Sequence, residues 1–408
     1  MLFSSFFQFY QRAPLVVLLA SLVSFAIVIP AQAQIADLSI DWQEGALYNQ
    51  NKAYCAIQAA LSPAFIRGYI VIQDGLLVAE GYTEGNEAND KNEVYSVTKA
   101  WSTFLIGVLV DQGKLSISET LQDIFDQAAD WEGVHQASEK KAITVSEILT
   151  MSSGLKESPL AFCQFDEQDS LQKTLNNAKY YAAERGKFNY LATTNTLAHI
   201  ILRRSGETPR EFATSSGVFD ALGMNPDNFD WSTINGLETT SGGLQANPRV
   251  LAKLGQLYLQ DGAASTTNQL VSSNWVDMAT TDQKSDDSSD DFGQIYDGYG
   301  YHWKVPKNGE TGDRAGIAAA TGAFGQYVVF LPATNTVIAV TGNPSCPVSF
   351  YNNILFIDTA IENLNGLSEE QDDADDCEDS YSKWKYCTSS FEKAAYCGVC
   401  PFPWFPSI

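Results

Sequence analysis

The sequence predicts an α/β (α+β) fold, with antiparallel hairpin strands near both ends of the body of the chain and a helical stretch at about 114–280 between them. Three observations carry this. The β-type run Tyr69-Ile70-Val71-Ile72 is followed by Gln73-Asp74-Gly75 and a second run, Leu76-Leu77-Val78, which reads as a hairpin. Helix-period patterning with caps fills the middle of the chain. Two further apolar runs, Tyr327 to Leu331 and Val337 to Thr341, are joined by Pro332-Ala333-Thr334-Asn335 and make a second hairpin.

The elements follow in order. Residues 1–33 form a secretory signal pattern, because Arg12 precedes the apolar run Ala13 to Pro30 and then Ala31-Gln32-Ala33. Left uncleaved, the run is just long enough to act as a membrane anchor instead. Either way the chain is expected to be exported, to the periplasm or beyond. Ser96 opens a run to Val110 in which Leu105, Val108 and Leu109 keep helical spacing, and Gly113 stands in the stop position. Thr144-Val145-Ser146-Glu147 has the form of a capping box, and Pro248 opens a helix to about Leu259. Strand signals return with Tyr299-Gly300-Tyr301-His302-Trp303, and Phe350 to Leu364 is the last helix. Glu369 to Asp379 holds eight carboxylates in eleven residues and cannot form a core. The expected organisation is a signal at 1–33, one body at 34–365, and an acidic linker with a cysteine-rich tail at 366–408.

The 408 residues carry 49 Asp plus Glu against 25 Lys plus Arg, a formal charge of −24. Such a field repels phosphate backbones, which excludes nucleic acid as a partner. Seven cysteines in an exported chain point to disulfides, and Cys377, Cys387, Cys397 and Cys400 crowd the tail. Cys397-Gly398-Val399-Cys400 supplies only two ligands, so no metal is expected there, and the acidic run Asp286 to Asp291 lacks the ligand spacing of a calcium loop.

For chemistry, the elbow G-x-S-x-G is absent, and His135, His199 and His302 match no metalloprotease spacing. The remaining serine route is S-x-x-K, which puts a hydroxyl and an amine on one helix face. The spacing begins at seven serines, so it says little alone; only Ser96-Val97-Thr98-Lys99 stands where strand-type sequence gives way to a long apolar helix. The alternative there is an N-cap serine followed by a surface lysine.

At this point the chain resembles the serine β-lactamase and penicillin-binding-protein superfamily, in the branch of class C-like β-lactamases, D-alanyl-D-alanine peptidases, esterases and 6-aminohexanoate-dimer hydrolases. The resemblance runs from about Phe65 to Leu364, through Ser96-Val97-Thr98-Lys99, Gly113-Lys114-Leu115, Leu149-Thr150-Met151-Ser152-Ser153-Gly154-Leu155, Phe188-Asn189-Tyr190, Leu222-Gly223-Met224, Ser241-Gly242-Gly243-Leu244, Tyr299-Gly300-Tyr301 and Ala320-Thr321-Gly322-Ala323-Phe324-Gly325-Gln326. It implies a β-lactamase/transpeptidase-like fold, an antiparallel sheet flanked by helices plus a helical subdomain, with the active site in the cleft between them. It also implies that Ser96 is the acylated nucleophile, Lys99 its proton acceptor and Tyr190 a second proton shuttle, with no metal or cofactor. A lysine can accept a proton only in its neutral form, which burial favours. The oxyanion donors implied are the Ser96 and Ala323 amides, each able to contribute about 3 kcal/mol.

Two departures narrow the substrate. The third motif of family β-lactamases and peptidases usually begins with Lys or His, whereas here it is Ala320, ahead of Thr321 and Gly322. The second motif, often Tyr-x-Asn, reads Tyr190-Leu191-Ala192. Both weaken penicillin-type recognition; Ala320, with Phe324-Gly325-Gln326 after it, resembles the 6-aminohexanoate-dimer hydrolase and esterase subgroup, which implies a short ester or linear amide as substrate. His302 and Trp303 either line the substrate cleft or face the core. The competing readings are a β-lactamase or D-alanyl-D-alanine carboxypeptidase, and a non-catalytic member of the fold that binds cell-wall fragments or a protein.

Overall fold

The early and late β-type runs meet in one seven-stranded antiparallel sheet. A computed structural model describes residues 35–45, 66–157, 170–190, 193–284, 298–307 and 311–344, all within the compact unit Ala33–Ile408. The signal run, the 286–291 acidic loop, the 350–364 helix, the acidic linker and all seven cysteines lie outside the described residues.

Strands β1 (Ile66–Gln73) and β2 (Leu76–Tyr82) form the expected hairpin. Its turn residues Asp74 and Gly75 have φ of 53° and 75°, the left-handed pair that a tight hairpin requires and that Asp-Gly supplies. The short β3 (Asn92–Glu93) leads into α1 (Val97–Asp111). Every residue of α1 from Val97 to Leu109 is buried, which explains why apolar residues lie on all sides of the helix and Lys99 is the one charged residue in that span. Gly107 lets Trp275 lie against the helix, since a Cβ there would come within 2.4 Å of the indole nitrogen.

The central stretch carries the anticipated helix α2 (Val145–Leu149), with the Thr144 and Glu147 capping box formed. It also carries α3 (Thr196–Ser205). Between the helices of this mostly helical stretch, short strands are interleaved. Ser153–Glu157 pairs with Ala178–Arg185, and β4 (Phe229–Trp231) and β5 (Leu244–Ala246) form a three-stranded sheet with β3. The Ala178–Arg185 segment, AKYYAAER, is rich in helix formers, and its strand state is set by its partner rather than by propensity. Helix α4 (Pro248–Leu259) starts where Asn247 accepts from the Val250 amide, with Pro248 at the first position.

The remaining sheet strands are β6 (Gly298–Tyr299), β7 (Lys304–Val305), β8 (Ala318–Gly322), β9 (Gln326–Leu331) and β10 (Thr336–Gly342). The spatial order is β6-β7-β8-β9-β10-β1-β2. The Tyr299–Trp303 run is not one strand. The chain turns after Tyr299, with Gly300 donating to the Trp303 carbonyl at 2.8 Å and His302 left-handed at φ 61°. Helix α1 packs on β8, and α4 packs on β9, β10 and β1. The core between them includes Phe104, Leu254, Leu257, Phe330 and Val337. Among the described residues no helix is long and apolar enough to cross a membrane.

Candidate active site

The first turn of α1 sets the geometry. Tyr95 is left-handed at φ 48°, an uncommon state for a bulky residue, and the chain then enters the helix at Ser96. The Ser96 hydroxyl makes no N-cap hydrogen bond. It lies 2.9 Å from Lys99 Nζ, one helical turn on. Lys99 is 2% exposed. The alternative of a capping serine with a surface lysine therefore does not describe this pair.

Lys99 Nζ also donates to the Ser241 carbonyl at 2.8 Å and stands 5.1 Å from the centroid of the Tyr190 ring. Among the described residues no carboxylate forms an ion pair with it. Ser96, Lys99 and Tyr190, drawn from two distant parts of the chain, are thus brought together. Tyr190 follows the loop after Ala178–Arg185, where the Asn189 amide donates to the Met151 carbonyl at 2.8 Å and the Phe188 ring lies 4.8 Å from that of Tyr299. Burial, with Tyr190 nearby, holds the Tyr299 hydroxyl well above its usual pKa.

The second wall comes from β8. Gly322 approaches Val94 so closely that a Cβ would fall 2.3 Å from the Val94 carbonyl oxygen. This approach carries the turn Ala323-Phe324-Gly325 past the start of α1, with Phe324 and Gly325 left-handed at φ 61° and 79°. The Tyr95 and Phe324 rings meet edge to face at 5.0 Å. Gln326 secures the turn from behind, accepting from the Gly342 amide at 2.9 Å and donating to the Gly342 carbonyl at 3.2 Å. Ala323 is exposed, Thr321 half-buried, and neither the Ser96 nor the Ala323 amide donates to another group among the described residues.

Two expected substrate contacts need correction. Trp303 is fully buried, packed on Tyr258 at 4.6 Å and Phe330 at 5.4 Å, so it belongs to the core and lines no cleft. Ala320 is 1% exposed, within the core on the face of β8 that meets α1, rather than in open contact with the cleft. His302 is likewise buried behind the site. Its Nδ1 lies 2.7 Å from the Thr103 hydroxyl and 3.3 Å from the Lys99 carbonyl oxygen, and burial, with the Lys99 charge, pushes its pKa down to about 3.

Three residues were not singled out from the sequence. Ser241 supplies a backbone carbonyl to Lys99, and carbonyls carry no residue signature; only the Ser241-Gly242-Gly243-Leu244 resemblance pointed there. Asn195 holds that loop with one oxygen, which accepts from the Thr240 amide at 2.8 Å and from both the Ser241 amide and hydroxyl at 2.9 Å. Glu93 is buried enough for its carboxyl pKa to be raised, and it accepts from backbone amides on both sides of the site. Its place three residues before Ser96 was the available signal.

A family model described as Beta-lactamase matches residues 68–349. The chain belongs to the beta-lactamase family. It is 22% identical over 290 residues to the 6-aminohexanoate-dimer hydrolase of Paenarthrobacter ureafaciens, which covers 66% of this chain and 70% of that protein. A solved structure from Bacillus anthracis, named as a 6-aminohexanoate-dimer hydrolase, superposes with a TM-score of 0.62 at 18% identity, covering 82% of this chain and 91% of that one. A family VIII carboxylesterase superposes with a TM-score of 0.57 at 13% identity, over 79% of this chain and 98% of that one. The beta-lactamase/transpeptidase-like fold expected from the sequence is therefore the fold of this chain. Its relatives support a hydrolase of this superfamily.

Proposed function

We propose that this protein is an exported serine hydrolase that forms an acyl-enzyme at Ser96 and turns over short esters or linear amides. The observation that carries the reading is the 2.9 Å hydrogen bond between the Ser96 hydroxyl and the buried Lys99, whose other partner is the Ser241 carbonyl. A hydroxyl and an amine at this distance are within reach of direct proton transfer.

In the proposed cycle the Lys99 amine takes the Ser96 proton as Oγ bonds to the substrate carbonyl carbon. The π pair moves onto the carbonyl oxygen, which the Ser96 and Ala323 amides receive. Collapse reforms the carbonyl and breaks the bond to the alcohol or amine, which leaves with the proton held by Lys99 and passed beside Tyr190. Water then repeats the sequence in reverse and frees the acid and Ser96. The substrate class is supported by the motif Ala320-Thr321-Gly322, which begins without the Lys or His usual in β-lactamases, and by the relative named 6-aminohexanoate-dimer hydrolase. Export rests on the sequence of residues 1–33.

The test is intact mass spectrometry of the purified protein with a p-nitrophenyl ester, followed by peptide mapping. A transient acyl adduct on the Ser96 peptide, absent in Ser96→Ala, is expected. An undiminished adduct in Ser96→Ala would refute the assignment. The family match favours one second reading, a β-lactamase or D-alanyl-D-alanine carboxypeptidase. Nitrocefin or D-Ala-D-Ala peptide turnover well above ester turnover would select it.

A further inference from the structure

The turn that presents Ser96 and the loop that presents the Ser241 carbonyl are distant in sequence, yet one side-chain oxygen joins them. Glu93 Oε1 accepts from the Tyr95 amide at 3.1 Å and from the Gly243 amide at 2.9 Å. Both donors belong to left-handed residues, Tyr95 at φ 48° and Gly243 at φ 93°. For Tyr95 that state is unfavourable on its own and persists only where neighbours fix it. Gly243 admits no other residue, since a Cβ would fall 2.2 Å from the Thr239 hydroxyl oxygen. The surrounding bonds run the same way: the Val94 amide donates to the Leu244 carbonyl at 2.9 Å, and the Leu244 amide to the Thr98 hydroxyl at 3.2 Å. Glu93 is the one carboxylate in this stitch, and it contacts neither Ser96 nor Lys99 by hydrogen bond among the described residues.

We propose that Glu93 is a positioning residue for the Ser96 and Lys99 pair: it locks the left-handed turn before the nucleophile to the loop whose Ser241 carbonyl holds the lysine. This deepens, and rests on, the Ser96 acyl-enzyme reading. The role requires an acceptor oxygen at that place rather than a charge. A glutamine keeps the oxygen and the reach, whereas an aspartate is one methylene short and an alanine offers nothing.

The experiment measures acylation of the full chain by stopped flow with p-nitrophenyl acetate, with steady-state kcat and KM and circular dichroism for each variant. Glu93→Ala is expected to lower the acylation rate about 30-fold with the substrate dissociation constant from the stopped-flow saturation curve within about threefold, and Glu93→Gln to stay within about threefold of the parent. If Glu93→Ala does not fold, Glu93→Asp against Glu93→Gln decides, with the aspartate at least about tenfold slower. Acylation unchanged in Glu93→Ala, a change confined to the dissociation constant of the substrate read from the stopped-flow saturation curve, or equal rates for Glu93→Asp and Glu93→Gln would each overturn the proposal while Ser96→Ala stays inactive. A burst retained by Ser96→Ala would instead overturn the reading beneath it.

Discussion

Adding one methyl group at Gly322 tests whether the edge of β8 supports catalysis. The Cβ of Gly322→Ala would fall 2.3 Å from the Val94 carbonyl oxygen, backbone against backbone, with no flexible side chain to yield. Ordinary contacts begin at roughly 3 Å or more, so β8 and the Val94-Tyr95 turn must separate by about 0.7 Å at the least. That displacement lands between the two amides proposed to receive the oxyanion, one on each of the separating segments. A misplacement near 1 Å in such a site can lower the rate about 100-fold, close to the loss of one donor at about 3 kcal/mol. Stability should fall by only about 1–3 kcal/mol, the usual range for overpacking. The assay is p-nitrophenyl butyrate hydrolysis with urea unfolding in parallel. We expect kcat down about 100-fold with KM within about threefold. A folded Gly322→Ala enzyme with kcat within threefold of the parent would refute the placement of the second donor on this strand edge.

Three further outcomes are expected. Lys99→Met, which keeps the bulk of the side chain and removes the amine, should lower kcat by about 10²–10⁴ with the fold intact, measured by the same ester assay. Asn195→Ala removes one oxygen that accepts three hydrogen bonds, so urea unfolding should report a loss of about 3 kcal/mol, with activity reduced as the Ser241 loop loosens. His302 is 4% exposed, with its pKa lowered from 6.5 to about 3, so in acid the unfolded chain takes up a proton that the folded chain refuses. Its contribution is unaffected above pH 6.5 and turns destabilising as pH falls below it, by about 3 kcal/mol at pH 4. His302→Asn, a residue tolerated at a left-handed position, should flatten that part of the urea-midpoint profile between pH 7 and 4; an unchanged slope would refute the assignment.

The two hairpins were legible because their signals are local. Asp74-Gly75 and Pro332 to Asn335 carry turn chemistry within a few residues, and the flanking runs are apolar enough to be buried strands. Helix α1 was legible for the same reason, as were the Thr144 capping box and the helix start at Pro248. The interleaved strands were not, because Asn92–Glu93, Phe229–Trp231 and Leu244–Ala246 are two or three residues long and become strands only through one another. The Tyr299–Trp303 run misled because aromatic, strand-forming residues also fill a buried turn. There the fully buried Trp303 stacks on Tyr258 and Phe330, and His302 adopts φ 61°.

The same division runs through the site. Ser96 and Lys99 are three positions apart, so helix geometry alone places them together, and their spacing could be read directly. Everything that turns this spacing into an arrangement comes from afar. Ser241 contributes a carbonyl, Asn195 an oxygen on that loop, Gly322 the absence of a side chain, and Glu93 an acceptor for the amides of two left-handed residues. Such roles depend on which backbone atom faces which, and many residue types leave the same trace in a sequence. It follows that the S-x-x-K spacing, present seven times here, marks a site only where a second segment closes on it. Among these seven, Ser170 makes the contrast concrete: its hydroxyl caps a helix by accepting from the Lys173 amide, and Lys173 is exposed. At Ser96 the hydroxyl is released from capping and the lysine is buried against a distant carbonyl. That difference, rather than the motif, is what the chemistry requires.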